Sequence, residues 1–337
     1  MRPSTKRLRT IRLTFGLTAA LTLLLVGMGG FVRGTGAGLS CPDWPLCFGR
    51  AVPEQLLHPG VVQEVLHRYL ASIVGLLIVW LSFRAYRLRL GHPGLWRAAK
   101  FLLLVLISQV ILGGLTVLML LNPFIVTAHL AFGTVLFQTL ALVAVERFRV
   151  KGQRQEPQGM VGQTPDERRL ERFARALPPL VFAQMLLGGF VGASGASFAC
   201  PDIPLCYGRV LPDLSSGPQI IHMVHRATAV LILGVVSYLL YLGRWGASRP
   251  SIATGHLFGL VFMVAVQIAL GLSSVYFGVP VALAVAHLLV GQLILLAALT
   301  FRRSLVPGMR FFSAVAAGGM GSAAGVGSSR LKEFAPA

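Results

Sequence analysis

The chain has 337 residues, 55% of them apolar and 12% charged, with a mean hydropathy of +0.74. A soluble domain carries about 25% charged residues and a disordered chain needs low hydrophobicity, so both classes are excluded. The net charge of +19 does not call for nucleic acid, because 25 of the 30 Lys and Arg fall in five clusters (2–12, 84–100, 147–175, 244–249 and 302–332) on alternate connections between apolar runs. That is the positive-inside pattern of a membrane protein, with anionic lipid as the neighbour.

The apolar runs predict eight membrane spans at 13–33, 61–83, 101–121, 123–145, 175–193, 219–242, 254–277 and 279–301, each near the ~20 residues that a bilayer requires. With the basic clusters inside, both termini are cytoplasmic. The loops 34–60 and 194–218 and the short turns at Asn122-Pro123 and Gly278 then lie outside. The first run is long enough to span, so it is read as a span and not as a signal peptide. The polar segment 149–172 reads as a cytoplasmic linker, and the Gly/Ala/Ser-rich segment 303–337 as a flexible cytoplasmic tail.

The sequence repeats itself. Residues 29–53 match 188–212 at 15 of 25 positions, and Cys41-Pro42-Asp43-Trp44-Pro45-Leu46-Cys47 reappears as Cys200-Pro201-Asp202-Ile203-Pro204-Leu205-Cys206. After a one-residue deletion, His67-Arg68 meets His225-Arg226, Gln109 meets Gln267, and Ala128-His129-Leu130 meets Ala286-His287-Leu288. Each half therefore has four spans, and both enter from the same side. This is a parallel repeat with its axis along the membrane normal. The expected fold is an all-α integral membrane protein, its eight transmembrane helices forming two pseudo-twofold-related four-helix bundles: an N-terminal half, 1–148, and a C-terminal half, 173–302.

Of the eight histidines, His58 and His92 lie in loops and His256 has no counterpart in the other half. His67, His129, His225 and His287 each sit about six residues inside a span that starts at the outer face, roughly 9 Å below its end. Two imidazoles at one depth in a four-helix bundle suit six-coordinate haem iron. A tetrahedral zinc site would be short of ligands, and four such residues paired by depth and by repeat outweigh a reading as isolated hydrogen-bonded histidines.

Glu64 precedes His67 by three residues and shares its helix face. His222 stands at the matching position in the second half. A buried carboxylate can act as a base or cation stabiliser; the bland alternative pairs it with Arg68 or leaves it wetted at the interface. This asymmetry assigns chemistry to the first half and a permanent cofactor to the second. The cysteine pairs Cys41/Cys47 and Cys200/Cys206 lie in outer loops, where disulfides persist, and are either staples or redox-active pairs. The Gly-rich stretch 34–38 has no preceding strand and is not a nucleotide site.

Together these features resemble the haem A synthase family, in the bacterial and archaeal form with a cysteine pair in each half. The resemblance covers about residues 10–305 and rests on eight spans in two halves, Glu-x-x-His-Arg at 64–68, four spaced histidines and a Cys-x5-Cys loop in each half. It implies oxidation of a ring methyl of haem O to a formyl group, by successive hydroxylations and loss of water, giving haem A for aa3-type terminal oxidases. It implies His225 and His287 as axial ligands of a resident haem b, His67 and His129 as ligands of the substrate haem, Glu64 as the catalytic carboxylate, and Cys41 and Cys47 as an electron relay or loop staple. The charge and depth of Arg68 and Arg226 suit haem propionates. Haem O synthase and an electron-transfer partner are the implied protein partners, a homo-oligomer is compatible with such a chain, and the location is the cell membrane. A di-haem b electron-transfer protein is the competing reading, and Glu64 beside one site only argues against it. A transporter built from two parallel repeats would gather polar residues near the midplane, and ranks last.

Overall fold

Inside a bilayer every backbone polar group must be satisfied within the protein, which leaves a long apolar chain the choice of helices or a closed barrel. A computed structural model describes residues 5–145, 164–246 and 251–305. Among them the chain forms α1 (Thr5–Gly34), α2 (Val61–Arg87), α3 (Pro93–Leu118), α4 (Pro123–Val145), α5 (Pro165–Ala193), α6 (Gly217–Tyr241), α7 (Ser251–Tyr276) and α8 (Val281–Leu305). All eight are long and apolar enough to cross a membrane, and the chain is a multi-pass membrane protein.

Two helices start well before their apolar runs, α3 at Pro93 instead of 101 and α5 at Pro165 instead of 175, and α1 is already helical at Thr5, the first described residue, ahead of its run at 13. Hydropathy marks the part of a helix that lipid covers, whereas local capping decides where the helix begins. At α5 the Thr164 hydroxyl accepts from the Glu167 amide at 3.2 Å, and the Glu167 carboxylate accepts from the Thr164 amide at 3.0 Å. This capping box, followed by Pro165 in the first turn, starts the helix inside what reads as linker from the sequence. The rest of that linker, 149–163, and the tail from 306 onward lie outside the described residues.

Within the first half α1 packs on α2 and α4, and α3 packs on the same two helices; in the second half α5 and α7 each pack on α6 and α8. The halves meet where α1 lies on α8, α4 on α5 and α4 on α8. In the first half Phe15, Ile78, Leu81, Leu95, Leu102 and Leu140 form a closed apolar core, and Leu177, Val236, Leu239, Leu257, Leu295 and Phe301 do so in the second. Both cores occupy the bundle end remote from the cysteine loops. Along α4 the side chains are only partly buried as far as Phe132 and largely buried from Gly133, and α8 makes the same change at Gly291. The histidines lie on the looser side of that change.

The seam between the halves is polar at two levels. At the loop end, Arg33 of α1 donates to the carbonyls of Gly192 and Ala193 at 3.0 and 3.1 Å, a cation at the C-terminus of α5. Deeper, Gln138 of α4 donates to the Gln292 carbonyl at 2.9 Å, and the Gln292 amide donates to the Thr134 hydroxyl at 2.8 Å. All three residues are buried. Polar residues thus also occur well inside the spans, which the sequence reading places near the outer ends. An interhelical hydrogen bond in a membrane contributes about 1 kcal/mol. Gln292→Leu, which removes the bond to Thr134, should therefore lower the Tm of the detergent-solubilised protein by a few degrees; an unchanged Tm would mean that the bond adds nothing.

Candidate functional site

The four spaced histidines sit within the first two to three turns of α2, α4, α6 and α8. Each imidazole rests against a glycine on the preceding helix. A Cβ at Gly29 would lie 3.2 Å from the Cε1 of His67, at Gly113 3.3 Å from that of His129, at Gly188 2.7 Å from that of His225, and at Gly271 3.0 Å from that of His287. Gly29 and Gly188 are repeat partners, as are Gly113 and Gly271. A Cβ would crowd all four rings, and at Gly188 the ring or the helix would have to move.

His225 and His287 face each other with ring centroids 6.4 Å apart and planes at 69°. A metal between two opposed imidazoles, each bond about 2 Å long, separates the ring centres by about 6 Å once the ring radii are added. The Nδ1 of His287 lies 3.1 Å from the carbonyl of Gln267, which can only accept. Nδ1 therefore carries the proton and Nε2 is left as a metal-binding lone pair. Side-chain amides hold the ligand-bearing backbone: Gln267 donates to the His287 carbonyl at 2.9 Å and Gln184 to the His225 carbonyl at 2.8 Å. In the first half His67 and His129 hold the corresponding positions on α2 and α4. The Nδ1 atoms of His67, His129 and His225 are buried without a hydrogen-bond partner, a costly state in an apolar interior. Among the described residues no three His, Cys, Asp or Glu side chains converge to hold a bare metal ion. A haem brings four nitrogens of its own and asks for two axial ligands, so the residues present fit it.

Above each histidine pair lies a cysteine loop. Cys41 is bonded to Cys47 and Cys200 to Cys206, with Cα atoms 4.9 and 4.6 Å apart, and all four residues are buried. Asp43 accepts from the amides of Phe48 and Gly49 at 2.6 and 2.7 Å, where the chain turns through positive φ. Arg68 of α2 reaches up to the carbonyls of Asp43 (2.9 Å), Pro45 (3.4 Å) and Leu46. Arg226 does the same with Asp202, Leu205 and Cys200 at 2.7–2.8 Å. The structure thus brings both arginines to loop carbonyls, an engagement not visible in the sequence.

Glu64 is 4% exposed and lies in the first turn of α2. One carboxylate oxygen pairs with Arg68 at 2.5 Å and the other accepts from the Cys41 amide at 2.8 Å. The carboxylate therefore fastens α2 to the first disulfide ring while standing one turn from His67. In the second half the buried His222 takes its place. The halves also differ at the loop tip. Trp44 lies against Gly114 of α3, where a Cβ would be 3.0 Å from the indole. Ile203 and Leu272 occupy the equivalent positions, and a cavity of about 590 Å³ opens there beside Tyr276 and Phe277.

A sequence model described as cytochrome oxidase assembly protein matches residues 12–299, from α1 to α8. The chain belongs to that family. Its relatives include proteins named heme A synthase. The chain is 29% identical to that of Shewanella oneidensis, covering 80% of this chain and 89% of the relative. It is 28% identical to that of Halalkalibacterium halodurans (84% and 92%) and 27% identical to that of Shouchella clausii (77% and 84%). The family match thus contains all four histidines, Glu64 and both cysteine loops.

Sequence reasoning did not single out Gly113, Gly271, Gln184 or Trp44 as site residues. For the two glycines the repeat offset is a usable signal; Gln184 and Trp44 have no matching residue in the other half.

The loop carries one acid-sensitive contact. The Gly49 amide, with help from Phe48, holds the Asp43 carboxyl below its ordinary value of 3.8. A lowered folded-state pKa contributes stability above the ordinary value that is lost as pH falls through the lowered one. Asp43→Asn, with a single acceptor oxygen, should therefore speed hydrogen exchange at the Gly49 amide at neutral pH; equal exchange in both proteins would mean the carboxylate does not hold the turn.

Proposed function

We propose that this chain is a haem A synthase that oxidises a ring methyl of haem O to a formyl group. The observation that carries the reading is the pair of matched bis-histidine sites, one of which alone has a buried carboxylate, Glu64, one turn away. In this reading residues 1–148 form the substrate half and 173–302 the cofactor half, related by a pseudo-twofold axis along the membrane normal. His67 and His129 bind the iron of haem O. His225 and His287 hold a resident haem b, and Gln267 fixes the ring of His287 through its Nδ1–H. When bound, haem b supplies one-electron transfer, tuned by its two imidazoles and by burial. A farnesylated substrate is lipid-soluble, which suits a site inside the membrane with lateral access.

Both termini are cytoplasmic and the disulfide loops face outward. Support comes from the basic residues stacked on aromatic rings at the far ends of α2 and α3: Arg84 on Trp80 at 5.2 Å, Arg87 on Phe83 at 4.8 Å and Lys100 on Trp96 at 5.8 Å. Aromatic rings mark either membrane interface, and an excess of Lys and Arg beside them marks the cytoplasmic one. Haem O synthase and an electron carrier are the expected partners.

Glu64 has two readings. Its nearness to His67 favours a role in the chemistry as a proton acceptor or cation stabiliser. Its bonds to Arg68 and the Cys41 amide favour a loop anchor. Glu64→Gln separates them, because glutamine still accepts from Cys41 but carries no charge. Haem content should persist while haem A formation is lost; normal haem A formation would make Glu64 a structural residue.

The direct test is to purify the protein from a host that makes haem O, and to identify the extracted haems by chromatography with mass detection. Haem B together with haem O and haem A is expected. Haem B alone at two per chain would overturn the reading in favour of a di-haem electron-transfer protein. His225→Ala and His287→Ala should each lose haem B; full haem B in both would overturn the assignment of the resident site.

A further inference from the structure

Two adjacent glycines on α1 face two different neighbours. Gly29 meets His67 of its own half. At Gly30 a Cβ would lie 2.8 Å from Leu288 of α8 in the other half. Leu288 directly follows His287. The repeat reproduces the device on α5: Gly188 meets His225, and a Cβ at Gly189 would lie 2.6 Å from Leu130 of α4, the residue after His129. Successive residues on a helix point about 100° apart, so each Gly-Gly pair touches a histidine on one side and the neighbour of a histidine from the other half on the other. These contacts lie on the α1–α8 and α4–α5 packings that join the halves.

We infer that Gly30 and Gly189 are positioning residues that set the ligand-bearing helix of the opposite half, so that each haem site is held in register by a helix of the other. This rests on the bis-histidine reading of the four histidines. Leu130 is a short side chain on a helix with few allowed rotamers. A methyl placed against its Cδ2 is accommodated by turning Leu130 or, where the packed seam leaves no rotamer free, by moving α4, and a shift of α4 displaces the preceding residue, His129. Gly189 belongs to the cofactor half, yet its substitution acts on the substrate half. The relation is reciprocal: Gly30 belongs to the substrate half and acts on His287.

The test compares Gly189→Ala with the double variant Gly189→Ala/Leu130→Ala, and with Gly192→Ala as a control on the same helix. A Cβ at Gly192 has nothing within 4 Å. Each protein is purified from the haem O-producing host, and bound haems are measured by extraction, with the low-spin bis-imidazole absorption signature read alongside. Gly189→Ala should lower bound haem O plus haem A by about fivefold or more, the size expected of overpacking, while haem B stays at one per chain. The double variant should restore the lost haem, and Gly192→Ala should match the parent. Unchanged haem O plus haem A in Gly189→Ala would overturn the inference. So would a loss that the Leu130 truncation fails to restore, or an equal loss in Gly192→Ala. Should the parent protein carry haem B in both halves, the synthase reading falls but the coupling is still tested: Gly189→Ala must then remove one haem B of two.

Discussion

An imidazole inside a membrane needs something for its nitrogens to do, and a backbone that lets the ring lie where it can do it. In this protein the second requirement is met by Gly29, Gly113, Gly188 and Gly271, which carry no side chain where His67, His129, His225 and His287 come to rest. The glycines set how closely α1 approaches α2, α3 approaches α4, and so on through the second half. Helix spacing at the loop end follows from those contacts. The closed apolar cores at the other end fix the bundles without filling the histidine level.

On that base the disulfide loops act as lids tied down by charge. Arg68 turns one guanidinium nitrogen to the loop carbonyls and the other to Glu64, and Arg226 divides its loop carbonyls between both nitrogens, a planar two-pronged arrangement that lysine does not offer. The first half adds Glu64, which joins the arginine to the Cys41 amide. Trp44 adds an aromatic plate on Gly114. The second half has His222, Ile203 and Leu272 at the matching positions. One scaffold thus carries two unlike loop ends.

The seam between the halves mixes apolar and polar contacts. Phe124 packs on Phe190 with centroids 5.0 Å apart, Leu130 and Leu288 seat on bare glycine backbone, and Gln138, Gln292 and Thr134 close the buried centre. Hydrophobic burial alone does not hold helices together in lipid, because lipid tails are as apolar as leucine. Small residues and hydrogen bonds do that work.

Much of this was legible in the residues themselves. Eight spans follow from hydropathy because a bilayer demands about 20 apolar residues per crossing, and the matched halves follow from 29–53 repeating as 188–212. The four histidines stand out because equal spacing from helix starts translates directly into equal depth. Helix beginnings were less legible where a capping box, as at Thr164 and Glu167, extends a helix beyond its lipid-covered part. Only the tertiary structure decided what each group touches. The bond of Glu64 to the Cys41 amide, the seat of Trp44 on Gly114, and the two faces of each Gly-Gly pair depend on distances between segments well separated in the chain, whereas the pairing of Glu64 with Arg68, one turn away on α2, is already open from the sequence. A glycine in a sequence says that a side chain is absent; which neighbour uses the space is settled by packing.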